Sequence, residues 1–166
     1  KFGRPAAVRA AAPTAPALAE PVVSTEAVRL PPKETAIDYY IDTLNTGSLV
    51  QKRAALAELG ERGGDDSFNL LLTLLKDDDP LIVLDAVSAL DGFNDRRVKA
   101  PFIALLNVKN VNIRLAAIAG LARWKGDARV VKGLQETLKK EKVKKVRRAI
   151  RSALKEQGAG IPGAEQ

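Results

Sequence analysis

A leucine recurs along the chain at a nearly constant interval, and this recurrence limits the possible folds more than any other feature. The intervals are 31, 31 and 33 residues between four positions: Leu59, Leu90, Leu121 and Leu154. In the first three copies a small residue stands four positions earlier, at Ala55, Ala86 and Ala117, whereas Ile150 takes this place in the fourth. Self-similarity at a fixed period of a few tens of residues is typical of repeat architectures.

Each copy contains two helix-like segments that are separated by a short turn, GGDD, ND or GD. Aspartates in these turns are predicted to cap the following helix by accepting its free amides, namely Asp65 or Asp66, Asp95 and Asp127. Asp79 followed by Pro80 is a further helix start, because proline suits the first helical position. No segment alternates with period two over enough residues to predict a strand. The expected fold class is therefore all-α.

The first helices are predicted from apolar spacing and from glycines. A helix is expected from Glu34 to just before Gly47, with apolar residues at i, i+3, i+4 and i+7. These residues are Ile37, Tyr40, Ile41 and Leu44. A second helix is expected from Ser48 to about Leu59, with Gly60 ending it. Tyr39, next to the buried stripe, is expected to be exposed and is a candidate partner contact.

The shared residues resemble HEAT repeats, specifically the short kind first noted in phycobilisome lyases. The segment IRLAAIAGLARWKGDARVVKGLQETL is the closest match, and the resemblance covers roughly residues 48–157. The sequence departs from the HEAT pattern at Gln51, at Val83-Leu84 and at Asp85. These departures affect the chemistry of the groove of the repeat array rather than its fold. The resemblance implies a right-handed α-α superhelix of about three and a half helical hairpins, with seven helices. Stacked hairpins of this kind share a continuous core.

Three regions are predicted along the chain. Residues 1–33 are rich in Ala and Pro and are expected to form an extended or disordered arm. Residues 34–157 form the repeat domain, and residues 158–166 a disordered tail. The repeats are expected at about 48–76, 79–107, 110–140 and 142–157. The start of the arm resembles the end of an organelle transit peptide; a linker or binding arm is the alternative, so organellar and bacterial cytoplasmic locations both stay open.

Composition excludes several kinds of active site. The chain has no Cys and no His, which removes zinc fingers, Cys or His nucleophiles, a His general base and the usual haem or iron–sulfur ligands. No apolar run approaches the ~20 residues that span a bilayer, so a soluble protein is expected. The acidic cluster 77–79 lacks the spaced oxygen ligands of a calcium loop. We expect no catalytic residue, no metal, no cofactor and no small-molecule substrate.

The net charge of +7 is concentrated near the C-terminus. Residues 139–156 contain nine basic and two acidic side chains, so the rest of the chain is balanced. On a helical wheel Val143, Val146, Ile150 and Leu154 face the third repeat. The opposite, exposed arc carries five cations: Lys144, Arg147, Arg148, Arg151 and Lys155. These are the predicted contacts to an anionic surface, and a merely solvated polar cap is the alternative.

The predicted function is that of a non-catalytic scaffold or adaptor subunit in a larger assembly. It would dock through the solenoid surface, the basic helix and the arm, and the expected partner is a protein with an acidic patch. A module bound to the backbone of rRNA or DNA is the alternative, and a phycobilin-lyase-like chaperone is a third. Some HEAT-like DNA glycosylases pair a Trp with an Asp, but here Trp124 is expected to fill the seam between repeats and Asp127 to cap a helix.

Overall fold

The computed structural model describes residues 37–162. The predicted arm, residues 1–33, and the last four residues of the predicted tail lie outside this range. Within it the chain forms eight α-helices and one 3₁₀ turn, with no strand. The helices are α1 Ile37–Thr46, α2 Leu49–Arg62, α3 Gly64–Leu74, α4 Pro80–Gly92, α5 Lys99–Leu105, α6 Val111–Ala122, α7 Ala128–Lys140 and α8 Lys144–Glu156, and the 3₁₀ turn is Arg96–Val98. The count exceeds the expected seven by one, because α1 precedes three and a half hairpins.

The helices pack in sequential pairs and form two layers. In one layer α2, α4, α6 and α8 stack on each other in chain order. In the other layer α3, α5 and α7 each pack against the first helix of the following pair, while α1 covers α2. Each pair therefore buries its apolar side against the next pair, which is the arrangement of an α-solenoid.

The recurring residues of the sequence lie at the centre of this stack. The four leucines of the repeat are fully buried, as are the small residues four positions before them, and Ile150 takes the same place in α8. Gly60 does not end α2, contrary to the prediction. It lies within the helix, where an added Cβ would stand 3.1 Å from the Cβ of Ala89 in α4. The helix ends instead at Gly63, whose φ of 70° favours glycine.

Helix caps agree with the sequence at three positions and differ at a fourth. Asp95 caps the 3₁₀ turn that leads into α5 by accepting a hydrogen bond from the amide of Arg97 at 2.8 Å, as predicted. Asp79 accepts a hydrogen bond from the amide of Leu81 at 2.8 Å, and Pro80 is the first residue of α4, as predicted. Asp127 caps α7 by accepting from two amides of its first turn. The prediction that Asp65 or Asp66 caps α3 is wrong, because Gly63 holds the N-cap position and both aspartates lie in the first turn.

Two apolar residues that the helical wheels assigned to the core are exposed. Ile41 is 40% exposed, because within the described range α1 packs only against the helices that follow it. Val143 is 36% exposed, since it precedes α8 with an extended backbone and does not follow the helical wheel. Tyr40, Val146 and the other members of the two stripes pack into the core.

Ion pairs connect each repeat to the next at a spacing close to the repeat length. Three of them join residues that are 32 positions apart: Arg53–Asp85 at 2.5 Å, Asp65–Arg97 at 2.7 Å and Asp91–Arg123 at 3.1 Å. Asp85, a departure from the HEAT pattern, thus forms an ion pair with Arg53 of the preceding repeat. Gln51, another departure, forms a reciprocal capping box with Ser48 at the start of α2.

A fourth pair, between Arg114 and Glu141, is the most enclosed of these contacts. The guanidinium of Arg114 binds both carboxylate oxygens of Glu141 at 2.8 and 3.2 Å, and the two side chains are 10% and 6% exposed. Glu141 also accepts from the amides of Lys142 and Val143. Burial alone would raise the pKa of Glu141, but the hydrogen bonds from Val143 and Arg114 outweigh it and hold the pKa below its ordinary value.

The first residues of the predicted disordered tail, 158–161, lie against the last repeat. The amide of Ala159 donates to the carbonyl of Leu154 at 3.0 Å, and Gly158 has a φ of 67°, as in a helix-ending Schellman motif. The side-chain amide of Gln135 in α7 donates to the carbonyl of Gly160 at 2.9 Å. Ile161 packs on the edge of the core.

Candidate partner-binding surface

The last helix, α8, has one apolar side and one cationic side. Its buried side chains are Val146, Ile150, Ala153 and Leu154. They pack against α6 and α7, which fixes the direction of the opposite side. We call the five cations on that side the basic face: Lys144, Arg147, Arg148, Arg151 and Lys155. A shallow depression runs between the first four of them.

Four members of the basic face are exposed and one is not. Lys144, Arg148, Arg151 and Lys155 are exposed, and none has an ion pair or hydrogen bond within residues 37–162. Arg147 is half-buried and donates from Nη1 to the carbonyls of Leu138 and Glu141, at 3.1 and 2.9 Å. The structure therefore groups four of the predicted residues as available cations, while Arg147 attaches α8 to the end of α7.

Arg114 has the same role as Arg147 one repeat earlier. Its Nη1 donates to the carbonyls of Val108 and Lys109, which follow α5, at 2.9 and 2.8 Å. The sequence contained a signal for this role, since both arginines stand seven positions before a leucine of the repeat. The basic residue at this position closes the junction between one hairpin and the next.

Arg151 occupies a position at which the earlier repeats bury an apolar side chain. It lies three residues before the leucine of its repeat. The residues at the same place in the earlier copies are at most 3% exposed: Leu56, Val87 and Ile118. In those copies further helices follow in the stack, whereas within the described range no helix follows α8. The last described helix thus carries a cation at a position where each earlier copy buries an apolar residue.

A second group of cations lies at the edge where the turns of the second and third pairs meet. It surrounds a shallow hollow of about 460 Å³, which we call the turn pocket. Its wall includes Arg96, Lys99, Arg123, Trp124, Lys125 and Asp127. Sequence reasoning did not find this pocket, because its two halves are about 30 residues apart and neither half contains a motif. The excess of basic residues in the two turns was the only available signal.

Trp124 and Asp127 act in the turn pocket as structural residues. The Nζ atom of Lys99 lies 2.5 Å from Asp127 and 5.1 Å from the ring centroid of Trp124. Trp124 packs on the core from the seam between repeats, and Asp127 caps α7, as the sequence predicts. The hydrogen bond from Lys99 holds the pKa of Asp127 below its ordinary value.

Comparison with known families agrees with this geometry. Residues 84–155 match the family pattern described as HEAT repeats. Residues 84–155 carry HEAT repeats. A comparison with curated protein sequences gives no significant match. HEAT repeats are generally protein-interaction modules, which bind their partners through exposed surfaces of the helical array.

Charge is distributed unevenly along the helical array of residues 37–162. Residues 37–95 contain twelve acidic and four basic side chains, whereas residues 96–162 contain four acidic and eighteen basic ones. Outside residues 139–156 the chain has equal numbers of basic and acidic residues. This equality comes mainly from an acidic region and a basic region that offset each other. Both the basic face and the turn pocket lie in the positive region.

Tyr39 lies at the other end of the HEAT array. It is 41% exposed, and its ring meets the buried ring of Tyr40 edge to face, with 5.6 Å between centroids. Leu49 and Val50, at the start of α2, are also exposed. Residues 1–36 precede this end of the array and lie outside the described range. The role of Tyr39 as a partner contact therefore stays a prediction.

Two kinds of site are absent from the described part of the chain. Residues 37–162 contain no cluster of three or more acidic side chains placed to hold a metal ion. None of the helices in this range has the length and hydrophobicity that crossing a membrane requires. The match to HEAT repeats likewise brings no recognised catalytic family.

Proposed function

We propose that this chain is a non-catalytic adaptor that docks on an acidic surface of a partner protein through the basic face of α8. One observation carries the proposal: the HEAT array ends on exposed cations, and Arg151 replaces an apolar side chain that each earlier repeat buries. Within residues 37–162 no helix covers this surface, so it is open to a partner, and its charge selects that partner. Here the selection favours carboxylates.

The electrostatic repulsion between the cations of the basic face supports a binding role. Lys144, Arg148, Arg151 and Lys155 are three to four residues apart on one helix, so neighbouring charges repel each other by a few tenths of a kcal/mol per pair. A terminal repeat needs a polar outer face, but alternating charges would provide it without this repulsion. Unpaired cations of one sign accelerate association with an acidic partner and orient its approach.

An acidic protein fits the basic face better than a nucleic acid does. The four cations span about 16 Å along one helix, at 1.5 Å per residue, which suits the side of an acidic helix or strand. No aromatic side chain lies among them to stack on a base. A bound nucleic acid would therefore be held by its phosphates alone, with affinity that falls steeply as salt rises.

The experiment compares two triple variants of equal charge in affinity purification. Lys144→Glu, Arg148→Glu and Arg151→Glu reverse the basic face, and Arg147 is left in place because it bonds to the end of α7. The control reverses three exposed lysines elsewhere: Lys76→Glu, Lys109→Glu and Lys132→Glu. Circular dichroism checks that both variants keep the helix content of the natural chain.

The proposal predicts a protein that the natural chain and the control retain at moderate salt and that the basic-face variant loses. Retention is expected to survive nuclease treatment. Loss of the bound protein after nuclease would assign the basic face to nucleic acid instead. Equal retention by both triple variants would show that the cations only keep the end of the array soluble.

The N-terminal arm, residues 1–33, is proposed as a second contact in the same assembly, on the basis of its Ala- and Pro-rich composition. Limited proteolysis tests this part separately. Cleavage within residues 1–33 should slow when the purified partner is present. An unchanged cleavage rate would remove the arm from the proposal and leave the basic face as the docking site.

A further inference from the structure

The turn pocket has more positive charge than its own acidic residues neutralise. Lys99 pairs with Asp127, and Arg123 binds the carboxylate and carbonyl of Asp91. Arg96 and Lys125 lie on the same wall and are exposed, and neither has an ion pair or hydrogen bond within residues 37–162. The pocket therefore presents two uncompensated cations around a hollow.

A tryptophan N–H in the wall of the turn pocket also lacks a partner. The Nε1 atom of Trp124 is buried and has no acceptor within hydrogen-bond distance among the described residues. Leaving such a donor without an acceptor is unfavourable, so most buried N–H groups are paired in folded proteins. The wall of the turn pocket beside Trp124 consists largely of long lysine and arginine side chains, whose rotamers change easily. A rotamer change in this wall is what would give an acceptor atom of a bound ligand access to the N–H.

From these observations we infer that the turn pocket binds a carboxylate side chain of an acidic peptide segment. Arg96 and Lys125 supply the charge, Trp124 supplies a hydrogen-bond donor, and Lys99 and Arg123 form the remainder of the wall. The inference rests on the proposed function, because it assumes that the partner is an acidic protein. It adds a contact on a part of the array that is separate from the basic face.

The charges and donors of the turn pocket suit a carboxylate. Asp127 neutralises Lys99 and Asp91 neutralises Arg123, which leaves the two cations Arg96 and Lys125 for a ligand. A single carboxylate carries one charge and has two oxygens, one for a cation and one for an N–H donor. Two free cations suit one or two such groups from neighbouring acidic residues.

The turn pocket is adjacent to the C-terminal end of α8. The side-chain oxygen of Gln157 accepts from the amide of Gly126 at 2.8 Å, and its amide nitrogen donates to the carbonyl of Ala122 at 3.1 Å. Gln157 follows directly after α8, two residues beyond Lys155 of the basic face. Because Gly126 is part of the pocket wall, an acidic segment that lies along α8 would end beside the turn pocket.

Trp124 provides a local readout, because it is the single tryptophan of the chain. A peptide of six glutamates is titrated into the full chain at low salt, and tryptophan emission is recorded; a peptide of six glutamines is the control. The inference predicts a saturable change in emission with the glutamate peptide only. Binding of this peptide to the basic face alone would leave Trp124 emission unchanged.

Two double variants of equal charge identify the residues responsible. Arg96→Glu with Lys125→Glu is expected to weaken the tryptophan-monitored affinity about tenfold or more, as reversing charges in direct contact does. Lys76→Glu with Lys109→Glu, both outside the pocket, should stay within about twofold of the natural chain, by the weak, screened effect of distant surface charges. Arg96→Ala with Lys125→Ala tests the same contacts without new negative charge.

Several results would overturn the inference. It fails if the glutamate peptide gives no saturable emission change, or if the pocket variants respond as the natural chain does. It also fails if inorganic phosphate at equal concentration displaces the peptide more effectively than glutamate does. The partner assay separates this failure from that of the proposed function. If the pocket variant retains the partner and the basic-face variant loses it, the proposed function stands and the turn pocket is not part of it.

Discussion

Replacing Arg114 with methionine tests whether the junction between the third hairpin and α8 depends on one guanidinium. The substitution keeps an unbranched side chain of similar length and removes four hydrogen bonds. Two of them go to Glu141 and two to the carbonyls of Val108 and Lys109. The carboxylate left behind is only 6% exposed, so water replaces the lost contacts poorly.

Removing one partner of a buried ion pair costs about 3–5 kcal/mol. The lower end of this energy range applies to Arg114→Met, because Glu141 keeps the hydrogen bonds from the amides of Lys142 and Val143. We expect a loss of about 3 kcal/mol in the free energy of unfolding, or about 10 °C in the melting temperature for a chain of this size. Glu141→Gln should cost less, because the amide oxygen still accepts from the two backbone amides.

Urea denaturation followed by circular dichroism measures these changes in the single variants and in the double variant. The double variant should lose less than the sum of the two singles, because each single leaves the other partner buried and unpaired. The pKa of Glu141 lies below its ordinary value of 4.5, so its contribution is present above that pH and is lost as the pH falls further. A loss below about 0.5 kcal/mol in Arg114→Met, the range of ordinary surface substitutions, would refute this account of the junction.

Two further predictions concern packing and capping. Gly120→Ala should destabilise the chain by about 1–2 kcal/mol, because the new Cβ would lie within 2.8 Å of two ring carbons of buried Phe102. Gly92→Ala, where nothing lies within 4 Å, should instead stabilise it by up to about 1 kcal/mol in thermal denaturation. Equal effects of both would refute the packing argument. Asp127→Ala should cost about 1–2 kcal/mol through the lost cap; since Lys99 lowers the pKa of Asp127, that cost should shrink below about pH 3.8, and a pH-independent cost would contradict it.

Periodic and local features of the sequence predicted much of the fold. The leucine spacing located the core of each repeat, because a residue that recurs at the repeat length occupies the same place in every hairpin. Asp79-Pro80 and Asp127 predicted helix starts, because a cap depends only on the next two or three amides. The prediction for Gly60 failed for the opposite reason. Its role depends on Ala89, which is 29 residues away and reaches it only after the helices stack.

The candidate surface could be predicted only in part. Charge counting and a helical wheel found the basic face, but they could not separate Arg147 from its neighbours. That distinction requires knowing that the carbonyls at the end of α7 lie beside the first turn of α8. The turn pocket was missed for a similar reason, because Arg96 and Trp124 come from different turns and meet only in the stacked array.

The order of charges along the array bears on how an adaptor of this kind would select its partner. Most cations near the repeat junctions are paired: Arg53, Arg97, Arg114 and Arg123 all bind acidic residues of a neighbouring repeat. Pairing therefore cancels charge within the stack, and the unpaired cations of α8 lie beyond the last junction. An acidic first half would repel a partner that the C-terminal half attracts. Such a gradient orients an approaching acidic surface toward α8 before contact, which a uniformly basic array could not do.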